Sequence, residues 1–197
     1  SRTDLSNFYK NSKSNDFWYK NFFLPKLRQR VNFTIKPKIN FLTKNFKSYQ
    51  KKRIIDIGCG SGDFLINLKK KWKNAKLFGL EPSETMSKKF KDNDIKIIND
   101  VIENFKVKKK FDVATCFELF EHVYDPNLFI KSLSNVLSRN GLLYLSTLNA
   151  DGFDIKYLRE SSNSIYPPYH LNFFSIKSMK KILSLNNFKE IKIITPG

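Results

Sequence analysis

Arg53-Ile54-Ile55-Asp56-Ile57-Gly58-Cys59-Gly60-Ser61-Gly62-Asp63-Phe64 reads as a short buried strand that runs into a glycine turn and then a helix. Gly58, Gly60 and Gly62 let the backbone turn tightly and approach a ligand, and the helix that begins near Asp63 offers the N–H groups of its first turn. Such a turn is the usual seat of a nucleotide-type cofactor; its bland alternative is a tight strand-to-helix connection with no ligand at all.

Charge and glycine spacing select among cofactors. A dinucleotide fingerprint places a third glycine three positions after Gly60, so that a pyrophosphate can sit on the helix start, and here that place is Asp63. Asp56 stands two residues before the first glycine. Two acids around the turn repel a diphosphate but suit a ligand that carries an ammonium and a sulfonium, which is S-adenosylmethionine. With its acid-x-Gly-x-Gly-x-Gly pattern, Asp56–Gly62 resembles the first motif of the class I S-adenosylmethionine-dependent methyltransferases. The resemblance implies an α/β, Rossmann-like fold: a mostly parallel central sheet with helices on both faces. It also implies a cofactor-binding set of Asp56, Gly58, Cys59, Gly60, Gly62, Glu81, Pro82, Asp100, Val101, Phe117 and Glu118.

Outward from the turn, Asp63–Lys73 repeats apolar residues at Leu65, Leu68 and Trp72, a helical spacing, and is the first crossover helix. Lys76–Glu81 is the second strand and ends in an acid 19 residues after Gly62, where nucleoside-binding α/β folds accept hydrogen bonds from ribose hydroxyls. A helix over Glu84–Asp92 and a third strand over Ile95–Asn99 follow. By resemblance, Asp100 holds the adenine amino group, with the Val101 N–H beside the ring. Phe111–Phe117 is the fourth strand; its C-terminal end faces the ligand crevice, so Cys116 to His122 should line the site. Asp125 and Pro126 open a helix that Asn140-Gly141 ends, and Leu142–Leu148 is the fifth strand. Residues 149–169 form a long irregular stretch of the kind that tends to carry function. Ser175 caps a last helix and Phe188–Thr195 is a sixth strand. Class I methyltransferases usually add a seventh, antiparallel beside the sixth, so either it lies beyond Gly197 or this sheet is shorter.

Residues 1–50 hold two or three helices around the aromatic run Asp16–Leu24, which either packs on the core or closes over the ligand as a lid, with Trp18 and Tyr19 above His170; residues 51–197 form the cofactor-binding unit. A length of 197 residues fits one domain. Neither a membrane-spanning apolar run nor a signal-peptide pattern is present, so a cytoplasmic monomer or homodimer is expected. The net charge of +18 raises nucleic acid as a partner. Against that, the excess is mostly scattered lysine accompanied by Asn, Ile and Phe, the residues of A/T-rich codons, and no basic stripe forms. Cys59 and Cys116 make no metal or disulfide pattern and read as free thiols.

Thr115–Pro126 and Ser146–Asn149 resemble the ubiquinone-biosynthesis type of O-methyltransferase, while Pro167–Ser175 looks more like methyltransferases that act on sugars and secondary metabolites. The acceptor implied is a small molecule with a hydroxyl, sugar-like, phenolic or quinone-type. Methyl transfer from a sulfonium needs alignment and exclusion of water, and a hydroxyl acceptor also needs a base. Only His122 and His170 titrate near neutrality, so they are the candidate bases, His170 ahead of His122 because it lies in the long loop. Glu118, Glu121 and His122 fall at i, i+3 and i+4 and would share a face if the strand end turned helical, yet an ordinary polar helix start looks the same, and no metal is expected. Two other classes stay open. A nucleic-acid methyltransferase would carry a polar-Pro-Pro-aromatic motif at the end of the fourth strand, where this chain has Cys116-Phe117-Glu118-Leu119. A non-catalytic cofactor-binding module is opposed by the intact acids and glycines.

Overall fold

The computed structural model describes residue 17 and residues 19–195, apart from Lys91 and Pro168. Its elements are α1 (Leu27–Arg30), α2 (Lys36–Asn45), β1 (Arg53–Ile57), α3 (Asp63–Lys71), β2 (Lys76–Leu80), α4 (Glu84–Ser87), β3 (Lys96–Ile98), β4 (Phe111–Phe117), α5 (Pro126–Val136), β5 (Leu137–Ser146) and α6 (Ile176–Leu185). The strands form one parallel sheet in the order β3-β2-β1-β4-β5. The order reverses between β1 and β4, which opens a crevice at their C-terminal ends, where doubly wound sheets bind ligands.

Strand β1 is buried almost throughout because both sheet faces are covered. Ile55 and Ile57 point to a core shared with Phe129, Ile130 and Leu133 of α5 and Met179 and Ile182 of α6. Ile54 points to the opposite core, with Ile39 and Leu42 of α2 and Leu65 and Leu68 of α3. The period of two along β1 thus separates two hydrophobic layers. The N-terminal helix belongs to the second layer: α1 passes through a π-helical turn at Val31–Ile35 into α2, with Pro37 in the first turn of α2, where its missing N–H costs least.

Several expectations change. The helix expected over Glu84–Asp92 ends at Ser87, after which Lys89 and Phe90 bond back three residues to Met86 and Ser87. Phe90 thereby turns its ring onto Gly62. Helix α5 stops at Val136, and β5 starts at Leu137 rather than Leu142. Phe111 pairs with Leu137 but Val113 with Leu142, so the intervening residues, Asn140-Gly141 included, form an irregularity in the ladder rather than a helix end. β5 also ends at Ser146, short of Leu148. Phe188–Thr195 forms no strand among the described residues. Phe188 and Ile193 still pack on the core, but an extended segment without a ladder partner is not a strand. Of the lid, Trp18 and residues 1–16 lie outside the described residues. Tyr19 is seated on Lys89, with the ammonium 3.8 Å from the ring centre, in the segment after β2, whereas His170 sits on His122 after β4.

Candidate functional site

The glycine turn is built as its composition requires. Gly58, Gly60 and Gly62 all take positive φ, of 70°, 55° and 77°. A side chain on Gly58 would meet Leu119 at 2.8 Å, and one on Gly62 would run into Phe90, whereas one on Gly60 would meet, among the described residues, only Met86, at 3.7 Å. Among the described residues the backbone therefore presents a bare edge at Gly60, in the turn that follows the C-terminal end of β1.

Glu81 fixes this turn. It is buried, its Oε2 accepts from the Gly60 N–H and its Oε1 from the Ser83 N–H, both at 2.9 Å. Burial raises its pKa, opposed by those two N–H groups. The Gly58 and Cys59 N–H groups go to Leu80 O, and the Glu81 N–H to Ile98 O, so the ends of β1, β2 and β3 are tied together. Pro82 follows at the surface of this knot, and Ser83 caps α4 through the Met86 N–H. Asn99 donates to Glu81 O, and Asp100 accepts the N–H of Val101 at 2.8 Å, which fixes the turn after β3.

Asp56 lies beneath the glycines, 4% exposed, and accepts from the Thr115 hydroxyl at 2.6 Å. Burial pushes its pKa up to about 7, against the Thr115 bond and the Lys38 ammonium and with help from Glu81. Burial likewise pushes both thiols up. Cys116 and Phe120 lie wholly within the core rather than along the crevice, and the Cys59 sulfur faces the spot a Gly79 side chain would fill. The stretch from Cys116 to His122 thus lines the site only in part, since alternate strand residues must enter the core.

Glu118 departs from the expected shared face. Its φ of 49° breaks the strand and swings its carboxylate to the Ser146 hydroxyl at 2.6 Å and the Lys38 ammonium at 3.1 Å. Burial pushes the Glu118 carboxyl up, but these two groups and His122 outweigh it and hold the carboxyl low. Lys38 also lies 4.7 Å over the Phe117 ring. Arg30 reaches Asp63, at 3.7 Å, from the same N-terminal helix. Sequence reasoning missed both cations; in a lysine-rich chain the only signal was their place on the helix that precedes β1.

Residues 120–122 turn in a 3₁₀ coil, and Glu121 is buried there while the Glu118 carboxylate is bound to Ser146 and Lys38. The Glu121 carbonyl accepts the N–H groups of Leu171 and Asn172, and the Asn172 amide donates to Val123 O, which staples the long loop to this turn. His170 is thereby brought to His122, the ring centres 4.9 Å apart. His122 Nδ1 donates to Tyr169 O and His170 Nδ1 to Ser164 O, each at 2.7 Å. A carbonyl can only accept, so both Nδ1 atoms carry the proton in this geometry, and in the neutral imidazole Nε2 is then the nitrogen with the lone pair. Glu121, itself buried, accepts from the Thr147 hydroxyl, and ligand atoms of Glu121, His122 and His170 lie within 4.8 Å of one another.

Comparison with known proteins agrees with this architecture. Residues 27–193 match the profile described as a methyltransferase domain. The malonyl-[acyl-carrier protein] O-methyltransferase 2 of Ilyobacter polytropus is 31% identical over 137 residues, covering 66% of this chain and 52% of that protein. The ubiquinone biosynthesis O-methyltransferase of Pelagibacter ubique is 38% identical over 103 residues, 49% of this chain and 42% of that one. The chain thus spans about half the length of the curated relatives it matches. Among solved structures, the magnesium protoporphyrin IX methyltransferase of Synechocystis PCC 6803 superposes with a TM-score of 0.74 at 19% identity, covering 95% of this chain and 90% of that one. The plantazolicin methyltransferase gives 0.72 at 23%, covering 94% and 74%. These two likenesses concern the fold. Among the described residues no helix is long and apolar enough to cross a membrane. With a profile match over most of its length, the parallel sheet and the acid-led glycine turn, the chain belongs to the methyltransferase-domain family, of the class I S-adenosylmethionine-dependent type.

Proposed function

We propose that the chain transfers a methyl group from S-adenosylmethionine to a hydroxyl oxygen of a small molecule, sugar-like, phenolic or quinone-type. The bare edge at Gly60 and the acids around it fit such a cofactor: a ligand backed by Glu81 and Asp56 gains from positive charge and loses from phosphate. When bound, the cofactor supplies an electrophilic methyl group on sulfur. Glu81 shapes the turn and offers carboxylate oxygens to ribose hydroxyls. Asp56 and Thr115 set the charge behind the glycines. His170 takes the acceptor proton on Nε2, held in the required tautomer by Ser164 O, with His122 beside it.

The observation that carries this reading is the paired imidazoles, each pinned through Nδ1 at 2.7 Å. A base with its second nitrogen committed to a carbonyl presents its lone pair in one direction. The O-methyltransferase names of the curated relatives support the choice of acceptor atom. The test is methyl transfer to a panel containing a catechol, a hydroxylated quinone precursor and a sugar nucleotide. On an acceptor that turns over, His170→Ala lowers turnover about 10²–10⁴-fold with cofactor affinity little changed; turnover within about threefold of the wild type sinks the base assignment.

The clustering of Glu121 with both imidazoles favours a second reading, in which the trio holds a divalent cation that orients the acceptor oxygen. Glu121 and both imidazoles form a mixed oxygen and nitrogen donor set, oriented by Thr147 and by two carbonyls. Loss of turnover with a chelator, restored by Mg²⁺ or Zn²⁺, selects that reading over metal-free base catalysis.

A further inference from the structure

The segment between β5 and α6 carries an internal hydrogen-bond network and an exposed apolar surface. Within it, Asp154 accepts from the hydroxyls of Ser162 and Ser164, and the Ser164 carbonyl in turn fixes His170. Asp151 takes the Ile176 N–H and pairs with Lys156. Its large apolar side chains turn out. Phe153 and Tyr157 are each 73% exposed and pack on each other, ring centres 4.5 Å apart; Leu158, Tyr166 and Leu171 are also exposed. Concentrated apolar exposure of this kind marks an interaction surface.

We propose that this segment docks the protein on the surface of an anionic lipid bilayer, the aromatic and leucine side chains entering the headgroup boundary while lysine and arginine meet lipid phosphate. Charge complementarity picks this occupant. Lys156 and Arg159 are exposed among the apolar residues and are matched there by Asp151 and Glu160, so the local excess of positive charge comes from Lys177, Lys180 and Lys181, exposed on the adjoining helix α6, and the whole chain carries +18. That charge draws the molecule to an anionic membrane and opposes pairing with a second copy. Exposed aliphatic side chains such as Leu158 and Leu171 suit acyl chains and offer nothing to a nucleic acid. Because His170 hangs from the same loop, docking turns this face of the site toward the bilayer. The proposal does not rest on methyl transfer, and its test reads binding alone.

The test is flotation of the intact chain with vesicles of phosphatidylcholine, and of phosphatidylcholine mixed with phosphatidylglycerol, at physiological salt. The mixed vesicles are expected to bind at least about tenfold more protein. The double variant Phe153→Ser/Tyr157→Ser is expected to lose that binding about tenfold or more, whereas Phe33→Ser, at an 81% exposed phenylalanine on the N-terminal helix, keeps it. Tyr157→Trp supplies a second readout, a blue shift of emission on the mixed vesicles. Binding that survives the double variant, binding absent from both vesicles, a solution dimer dispersed by the double variant, or retention by RNA in place of lipid would each overturn the proposal.

Discussion

Replacing Glu81 separates a ligand for ribose from a strut of the glycine turn, because the structure gives this carboxylate two backbone donors, Gly60 N–H and Ser83 N–H, each at 2.9 Å. In Glu81→Gln one oxygen remains to accept one of them and the new amide faces the other donor to donor. One buried N–H is left unpaired, at roughly 1–3 kcal/mol of folding stability. Glu81→Ala leaves both unpaired and costs up to about twice as much, less whatever water restores. Cofactor affinity falls as well. A hydrogen bond to a charged group contributes roughly 1.5–3 kcal/mol, so the loss of one ribose bond weakens binding about 10- to 150-fold. Urea unfolding gives the first quantity and calorimetric titration with S-adenosylhomocysteine the second. The reasoning fails if Glu81→Gln unfolds at the wild-type midpoint, or if it binds the ligand as tightly as the wild type.

Gly62→Ala should destabilise the fold, since Gly62 has φ of +77° and the new methyl would run into the Phe90 ring. Adding Phe90→Ala removes the clash but leaves the left-handed backbone cost of roughly 1–2 kcal/mol, so a single variant as stable as the wild type in thermal melts would refute this packing. Asp56 gives a pH signature. It ionises near 3.9 in the unfolded chain but near 7 in the fold, so its contribution is fully present below about pH 4 and is lost as pH rises toward 7, a change of roughly 4 kcal/mol. The stability difference between wild type and Asp56→Asn, followed by urea unfolding from pH 4 to 8, should carry that slope; a flat difference would contradict the burial of Asp56.

The cofactor half of the fold was legible because its signals are local. Three glycines with positive φ, an acid before them and an acid at the end of β2 act within their own turn, and Gly58, Gly60, Gly62, Glu81 and Asp56 stand where their spacing puts them. What escaped depends on contacts distant in sequence. Nothing around Lys38 signals that it will meet Glu118, 80 residues away, and the i, i+3, i+4 spacing of Glu118, Glu121 and His122 lost its meaning once Glu118 took positive φ. His170 and His122 were both singled out as candidate bases, but their pairing was not: the two rings meet because the Glu121 carbonyl holds Leu171 and Asn172. The end of α5 was misplaced because Leu137 continues the helical spacing and Asn140-Gly141 mimics a stop, while β4 pairs first with Leu137 and then with Leu142.

The central claim is that the bare backbone edge at Gly60 is the seat of an S-adenosyl cofactor, and calorimetric titration of the wild type and Gly60→Ala with S-adenosylhomocysteine tests it most directly. One site per chain is expected for the wild type, with a dissociation constant on the order of micromolar, about −8 kcal/mol. In Gly60→Ala a methyl group enters the side of the turn where, among the described residues, only Met86 lies near, and binding should weaken by more than about tenfold while the far-ultraviolet circular dichroism stays that of the folded chain. No binding to the wild type, or equal binding by the folded Gly60→Ala variant, would contradict the account.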